Sequence, residues 1–205
     1  MISNDPTLPS LIHNNKQGLL VYKDPHFYTH NEATQIFKQL NEDVVYDKKS
    51  TVVIFGKKHL IPRKQSGYGD DGTTYSFSGV TVNAKPWIPI LLKIKSDIEH
   101  LTDKQFNFCL VNYYADGDHY IGYHKDDERD LGPAPWIVSL SFGATRKFYF
   151  KSDNKSLPVV KTSLNHGCLC IMIHPTNKKW KHSVPKEKHV KYPRINLTFR
   201  QVTQV

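Results

Sequence analysis

The chain has 205 residues, a length that suits one domain with its own hydrophobic core and needs no disulfide staples. Hydrophobic residues make up 39% of it and aromatic residues 12%, which excludes a disordered chain, and no run of about 18 apolar residues supports a membrane span. Against 19 acidic residues stand 28 lysines and arginines, a net charge of +9 that favours a polyanionic partner such as nucleic acid.

No basic-then-apolar leader follows Met1, so an intracellular location is expected. Residues 1–20 are rich in Asn and Pro without periodicity, which predicts a flexible arm ahead of a single domain over 21–205. "THNEATQIFKQLNED" then predicts a helix: Thr29 with Glu32 three residues on forms a capping box, and Ile36, Phe37 and Leu40 make one apolar face. In "TVVIFGKKHLIPRK", Gly56 allows a tight turn after Phe55, and Lys57, Lys58, Arg63 and Lys64 surround it with charge, although "TVVIF" suits a buried strand equally well. Tyr75 and Phe77 in "TTYSFSG" stand two apart and project to one side of a strand, a pattern that ordinary strand packing also produces. "KPWIPILLKIKSDIEHLT" predicts a second helix, with Pro89 in its first turn and Ile90, Leu91, Ile94, Ile98 and Leu101 at helical spacing.

From residue 106 onward the pattern changes to short aromatic and branched runs separated by Gly, Pro, Asn or Asp: "FNFCLVNYY", "WIVSLSFG", "RKFYF", "CLCIMIH" and "RINLTFRQV". Helices first and strands afterwards predict an α+β fold, the strands closing into a sandwich or jelly roll with the helices outside. Cys109, Cys168 and Cys170 lie inside these runs and are expected as buried free thiols.

The last run alternates. Ile195, Leu197 and Phe199 share one face, and Arg194, Asn196, Thr198 and Arg200 the other. Two arginines on one face suit either solvent or buried anions, and the planar guanidinium fork fits a dicarboxylic acid. In "GYHKDDERD", His124 and Asp126 are two apart and point to one side of a strand, and "WKHSVPK" offers His182 as a third ligand. Two histidines and one carboxylate form the facial triad of non-haem Fe(II) oxygenases.

Together "VNYYADGDHYIGYHKDDERDL", "VSLSFGATRKFYF", "HPTNKKWKHSVP" and "PRINLTFRQV" resemble the AlkB family of Fe(II)- and 2-oxoglutarate-dependent dioxygenases, over roughly residues 51–201. "VVIFGKKHLIPRKQSGYGD" and "TTYSFSGVTVNAKPWIP" look like the branch of that family that prefers double-stranded DNA. The resemblance implies a double-stranded β-helix (jelly roll) with flanking helices, its core over about 106–202 and an N-terminal nucleotide-recognition lid over about 51–84. His124, Asp126 and His182 would then hold Fe(II), and Asn112, Tyr114, Arg194, Thr198 and Arg200 would surround 2-oxoglutarate, with O2 as the third reactant. Tyr113 points the other way and is expected to be packing.

Tyr75, Ser76, Phe77 and Asp127 would contact a flipped base, with Phe77 opposite His124, while Phe55, Gly56, Lys57 and Arg63 would engage the duplex, Phe55 as an inserted finger. Glu128 is expected to order its loop or an arginine such as Arg129. A basic group, Lys178, Lys179, Lys181, Lys186, Lys188 and Lys191, would face the partner strand, its grip weakened where Glu187 and His189 interrupt it. The implied activity is oxidative demethylation of bases such as N1-methyladenine and N3-methylcytosine in DNA, releasing formaldehyde, succinate and CO2. RNA or single-stranded DNA demethylation, and lesion binding without catalysis, are the alternatives. A nuclear location and a monomer are expected, and the N-terminal segment shows no sliding-clamp binding motif.

Overall fold

The computed structural model describes residues 11–14, 17–47, 51–54, 57–77 and 79–203. In chain order the first elements are β1 (Leu11–Asn14), β2 (Leu20–Asp24), α1 (His30–Asp43), β3 (Thr51–Ile54), β4 (Lys57–Leu60), β5 (Lys64–Gly69), β6 (Thr74–Phe77), β7 (Val80–Asn83), β8 (Lys85–Pro86) and α2 (Pro89–Thr102). β9 (Phe108–Tyr114), β10 (Ile121–His124), a short 3-10 turn (Arg129–Leu131), β11 (Ile137–Gly143), β12 (Arg146–Ser152), β13 (Val160–Leu164), β14 (Cys168–Met172), α3 (Thr176–Lys179), β15 (Trp180–Val184) and β16 (Arg194–Arg200) follow.

Two sheets carry the fold. An eight-stranded sheet runs β1-β2-β14-β11-β16-β9-β5-β8, antiparallel except for β5 with β8, and a four-stranded sheet runs β10-β15-β12-β13. α1 and α2 both belong to the core cluster on one side of the larger sheet. α1 begins with the expected capping box, Thr29 accepting from the Glu32 amide while the Glu32 carboxylate accepts from the Thr29 amide, and it buries Ala33, Ile36 and Leu40. α2 starts at Pro89, ends at Thr102 and is capped by Asp103, whose φ of 51° turns the chain out of the helix.

The alternation in β16 decides how the layers are filled. Ile195, Leu197 and Phe199 join the cluster beneath the helices, with Val138, Leu140 and Leu169. The opposite face is not solvent: all seven residues of β16 are buried, so Arg194, Asn196, Thr198 and Arg200 point into the space between the two sheets. A second apolar cluster fills the rest of that space, with Phe108, Leu110, Phe148, Phe150, Cys168, Cys170, Met172 and Trp180. The three cysteines are buried and free. Tyr113 faces the other way and packs on Tyr46, the ring centres 5.6 Å apart.

The strands begin earlier than the sequence pattern shows. β1 pairs with β2, and Leu19 and Leu20 are buried, so the sheet already holds chain within the first 20 residues. β5, "KQSGYG", sits between β9 and β8 without an apolar alternation because its glycines serve close approach. A Cβ on Gly67 would lie 2.6 Å from Val82 Cγ1, and one on Gly69 2.5 Å from the Asn107 carbonyl oxygen. The β6–β7 hairpin therefore packs tightly on the sheet and lays Tyr75, Phe77 and Val82 against the inter-sheet cluster.

Candidate active site

Three metal-ligating groups meet between the sheets. His124, the last residue of β10, lies directly opposite His182 of β15 in the antiparallel register, and the two rings are 4.2 Å apart. Strand β10 ends at His124, and Asp126, two residues beyond it on irregular chain, comes to the same cluster. Its Oδ1 lies 3.9 Å from His124 Nε2 and its Oδ2 3.9 Å from His182 Nε2, and the three ligand atoms fall within 4.8 Å of one another.

Neighbouring groups hold these side chains ready. Nδ1 of His124 lies 2.9 Å from the Gly122 carbonyl oxygen, an acceptor only, so Nδ1 carries the proton and Nε2 keeps its lone pair for a metal. Burial, and next the charge of His124, pushes His182 down to about 3; burial likewise lowers His124, against the pull of Asp126. Burial works to raise the Asp126 carboxyl, but Arg200 and the two histidines outweigh it and hold it down to about 2. Two neutral imidazoles and one carboxylate are the protonation states that divalent iron needs.

Beside the triad lies a cavity of about 540 Å³. Asn112, Tyr114, Thr198 and Arg200 line it, with Ser139 and Asn196. Arg194 is not on the wall; its guanidinium lies 5.2 Å from the Tyr114 ring centre, and Nη2 donates to Ser141 Oγ at 2.9 Å. Nε and Nη1 of Arg194 are buried without an acceptor. A buried guanidinium with free N–H groups calls for an anion, and with the amide and hydroxyl donors nearby this set suits a dicarboxylate.

Toward the β6–β7 hairpin, Arg63, Tyr75, Phe77, Tyr120, Tyr123 and Glu128 line the same cavity. The Tyr75 hydroxyl donates to the Glu128 carboxylate at 2.7 Å, and the Tyr75 ring lies 5.5 Å from Phe77 and 4.9 Å from the Arg200 guanidinium. Burial and then the charge of Asp126 raise the Glu128 carboxyl. Asp127, which the resemblance places against a flipped base, is exposed and off the wall, and its neighbour Glu128 lines the cavity. Ser76 is exposed and shares a hydrogen bond with Thr81. Phe55 and Gly56 lie outside the described residues, as does the side chain of Lys57.

The sequence reading also missed Gln65, Tyr120 and Tyr123. Gln65 stands on the glycine-rich β5, while Tyr120 precedes β10 and Tyr123 lies within its irregularly paired stretch, where no alternation marks the inward face. Glu187, read as a break in a basic loop, is buried and paired with Arg146.

The family model of the 2OG-Fe(II) oxygenase superfamily matches residues 19–200. The chain is 48% identical over 180 residues to the DNA oxidative demethylase ALKBH2 of Homo sapiens, covering 83% of this chain and 69% of the relative. It is 40% identical over 187 residues to the alpha-ketoglutarate-dependent dioxygenase alkB homolog 3 of Bos taurus, covering 87% and 64%. Among solved structures, that of OsALKBH1 superposes with a TM-score of 0.59 at 20% identity, over 88% of this chain and 97% of the other. A prolyl hydroxylase from Trichoplax adhaerens reaches the same TM-score at 12% identity, over 88% and 83%. Both share the fold.

Proposed function

For a chain that belongs to the 2OG-Fe(II) oxygenase superfamily, and within it to the AlkB homologues, we propose direct repair of N-alkylated DNA bases by oxidative demethylation. The observation that carries this reading is the position of the triad: His124, Asp126 and His182 stand beside a cavity whose outer wall is aromatic and acidic. The donor set fits Fe(II) held by the triad and 2-oxoglutarate held by Arg194, Asn112, Tyr114, Thr198 and Arg200. When bound, these two with O2 supply the hydroxylation of an N-methyl carbon, which leaves as formaldehyde while 2-oxoglutarate becomes succinate and CO2.

The remaining work falls to the protein's own side chains. Phe77, Tyr75 and His124 offer ring faces to a flipped base, and the unpaired cost of flipping, a few kcal/mol, is offset by stacking worth about 1–3 kcal/mol per base. N1-Methyladenine and N3-methylcytosine are cationic. Glu128, half-buried near the charge of Asp126, is stabilised by such a ring and gains nothing from a neutral one. Arg200 stays with Asp126 and keeps the triad's charge local.

Residues 51–84 act as the nucleotide-recognition lid on the jelly-roll core of 106–202. Phe55, which with Gly56 follows β3 and precedes Lys57 in the sequence, fills the gap left by a flipped base and gives preference for the duplex. The lysine-rich surface, in a chain of net charge +9, grips phosphates, and the protein acts as a monomer on nuclear DNA. No helix among the described residues is long and apolar enough to cross a membrane.

The test is formaldehyde release and loss of one methyl mass from a duplex carrying a single N1-methyladenine, with and without Fe(II) and 2-oxoglutarate. Cofactor-dependent release supports the reading; succinate formation without demethylation of duplex or single strand overturns the substrate. Phe55→Ala is expected to impair paired lesions about tenfold more than unpaired ones, given the few kcal/mol that unpairing costs. Equal loss on both would remove the finger.

A further inference from the structure

We infer that Gln65 is a positioning residue for the cosubstrate: together with Arg63 it fixes the amide of Asn112 so that the amide's N–H2 group, and not its oxygen, faces the cavity. This inference rests on the proposed function.

Gln65 of β5 lies directly opposite Asn112 of β9, and both side chains are buried, 2% and 6% exposed. Gln65 Nε2 donates to Asn112 Oδ1 at 2.9 Å, and Arg63 Nε donates to the same oxygen at 2.8 Å. The polarity of this arrangement is forced. The guanidinium has no acceptor, so the Asn112 atom against Arg63 Nε is the oxygen, and the Gln65 atom against that oxygen is the amide nitrogen. Asn112 Nδ2 is left without a protein acceptor among the described residues, on a side chain that lines the cavity.

A carboxylate accepts and never donates. Asn112 greets one with a donor only in this orientation; a flipped amide would set its oxygen against the anion. One donor on the oxygen leaves an amide that can rotate, whereas two donors from β5 and the preceding turn lock it. Gln65 touches neither metal nor substrate, and its role passes entirely through Asn112.

The experiment is equilibrium titration of 2-oxoglutarate into the Mn(II)-loaded full chain, by calorimetry, with Mn(II) affinity and Tm measured on the same samples. Gln65→Glu keeps the shape and removes the donor, so the amide is drawn to turn its N–H2 toward β5. Binding of 2-oxoglutarate is expected to weaken about tenfold, the worth of one hydrogen bond to a charged group, with Mn(II) affinity unchanged. Gln65→Leu removes the donor without offering an acceptor, leaves Arg63 in place, and is expected to weaken binding about threefold, the lower range for one neutral hydrogen bond. In turnover the loss falls on KM for 2-oxoglutarate and not on kcat at saturation.

Affinity for 2-oxoglutarate within about twofold of the wild type in both variants, less than one hydrogen bond is worth, overturns the inference, whatever happens to Tm. Should Gln65→Glu fail to hold Mn(II), Gln65→Leu alone decides on the same criterion. A wild-type chain that binds no 2-oxoglutarate in the presence of Mn(II) overturns the proposed function itself, a result distinct from either.

Discussion

Nη2 of Arg200 donates to Oδ2 of Asp126 across 3.1 Å, with both side chains buried. Asp126 therefore has two duties: it offers an anion to the metal and neutralises a guanidinium that would otherwise stand charged in the interior. Asp126→Ala removes both. The metal-free variant is expected to lose about 3–5 kcal/mol of stability, since a buried charge is left unpaired. Asp126→Asn keeps an oxygen for Arg200 and loses less, about 1–3 kcal/mol. Thermal unfolding with and without Mn(II) checks both points, because neither variant should show the rise in Tm that metal confers on the wild type. A retained rise would remove Asp126 from the triad.

Acid sensitivity of the metal-free chain follows from the same site. His182 has its folded pKa pushed from 6.5 down to about 3, chiefly by burial, so the unfolded chain takes up a proton that the folded chain refuses. Its contribution to stability is complete above pH 6.5 and is lost as pH falls toward about 3. Asp126 extends the loss: its contribution is present above 3.8 and disappears as pH falls through about 2. Tm should decline below pH 6.5, and His182→Asn should flatten the decline. Parallel curves for the two proteins would mean that His182 is not held neutral.

The sequence exposed these groups unevenly, for physical reasons. β16 was legible because a buried strand with one apolar and one polar face alternates with period two, and the polar face could be assigned to the interior only once all seven residues were seen buried. His124, Asp126 and His182 are legible by residue type and spacing, yet the strand stops at His124 and Asp126 stands on irregular chain beyond it. Past that point no period ranks Asp127 against Glu128, which is why the inward carboxylate could not be picked. β5 carried no strand pattern, since Gly67 and Gly69 are there to admit Val82 and the Asn107 carbonyl. Gln65 was hidden with it.

Glu128 couples stability to substrate charge. Burial and the charge of Asp126 hold its folded pKa above the ordinary 4.5, so the folded chain binds the proton more tightly than the unfolded one. Below pH 4.5 the group is protonated in both states and costs nothing; as pH rises through its folded pKa the cost appears and then stays. Glu128→Gln retains an oxygen for the Tyr75 hydroxyl and removes the charge. Its Tm is expected to exceed the wild type's at pH 8 and to match it at pH 4. Affinity for an oligonucleotide with a cationic methylated base should fall about tenfold relative to one with a neutral base, a difference of 1.4 kcal/mol. If the variant keeps that preference, the discrimination lies elsewhere.

Arg146 and Glu187 form a second buried ion pair, away from the metal ligands. Glu187 Oε2 accepts from Arg146 Nε at 3.2 Å and from the Lys147 amide at 2.8 Å, while the Arg146 terminal nitrogens donate to the carbonyls of Asp116, His119 and Pro185 at 3.0, 2.9 and 2.8 Å. One guanidinium thus ties the segment before β10 to the segment after β15, and main-chain hydrogen bonds from Gly117 to Val190 and from Glu187 to Gly117 complete the join. The carboxylate belongs to this interior knot and does not dilute the basic surface, where Lys186, Lys188 and Lys191 remain exposed. Glu187→Lys separates the two readings. If Glu187 merely interrupted a cationic loop, an added lysine would tighten duplex binding; because it neutralises Arg146, the substitution is expected to cost about 3–5 kcal/mol and to loosen both segments together. Hydrogen exchange at the Gly117 and Val190 amides, alongside Tm and duplex affinity, distinguishes them: faster exchange with no gain in affinity is the expected result, and tighter binding at unchanged Tm would return Glu187 to the surface.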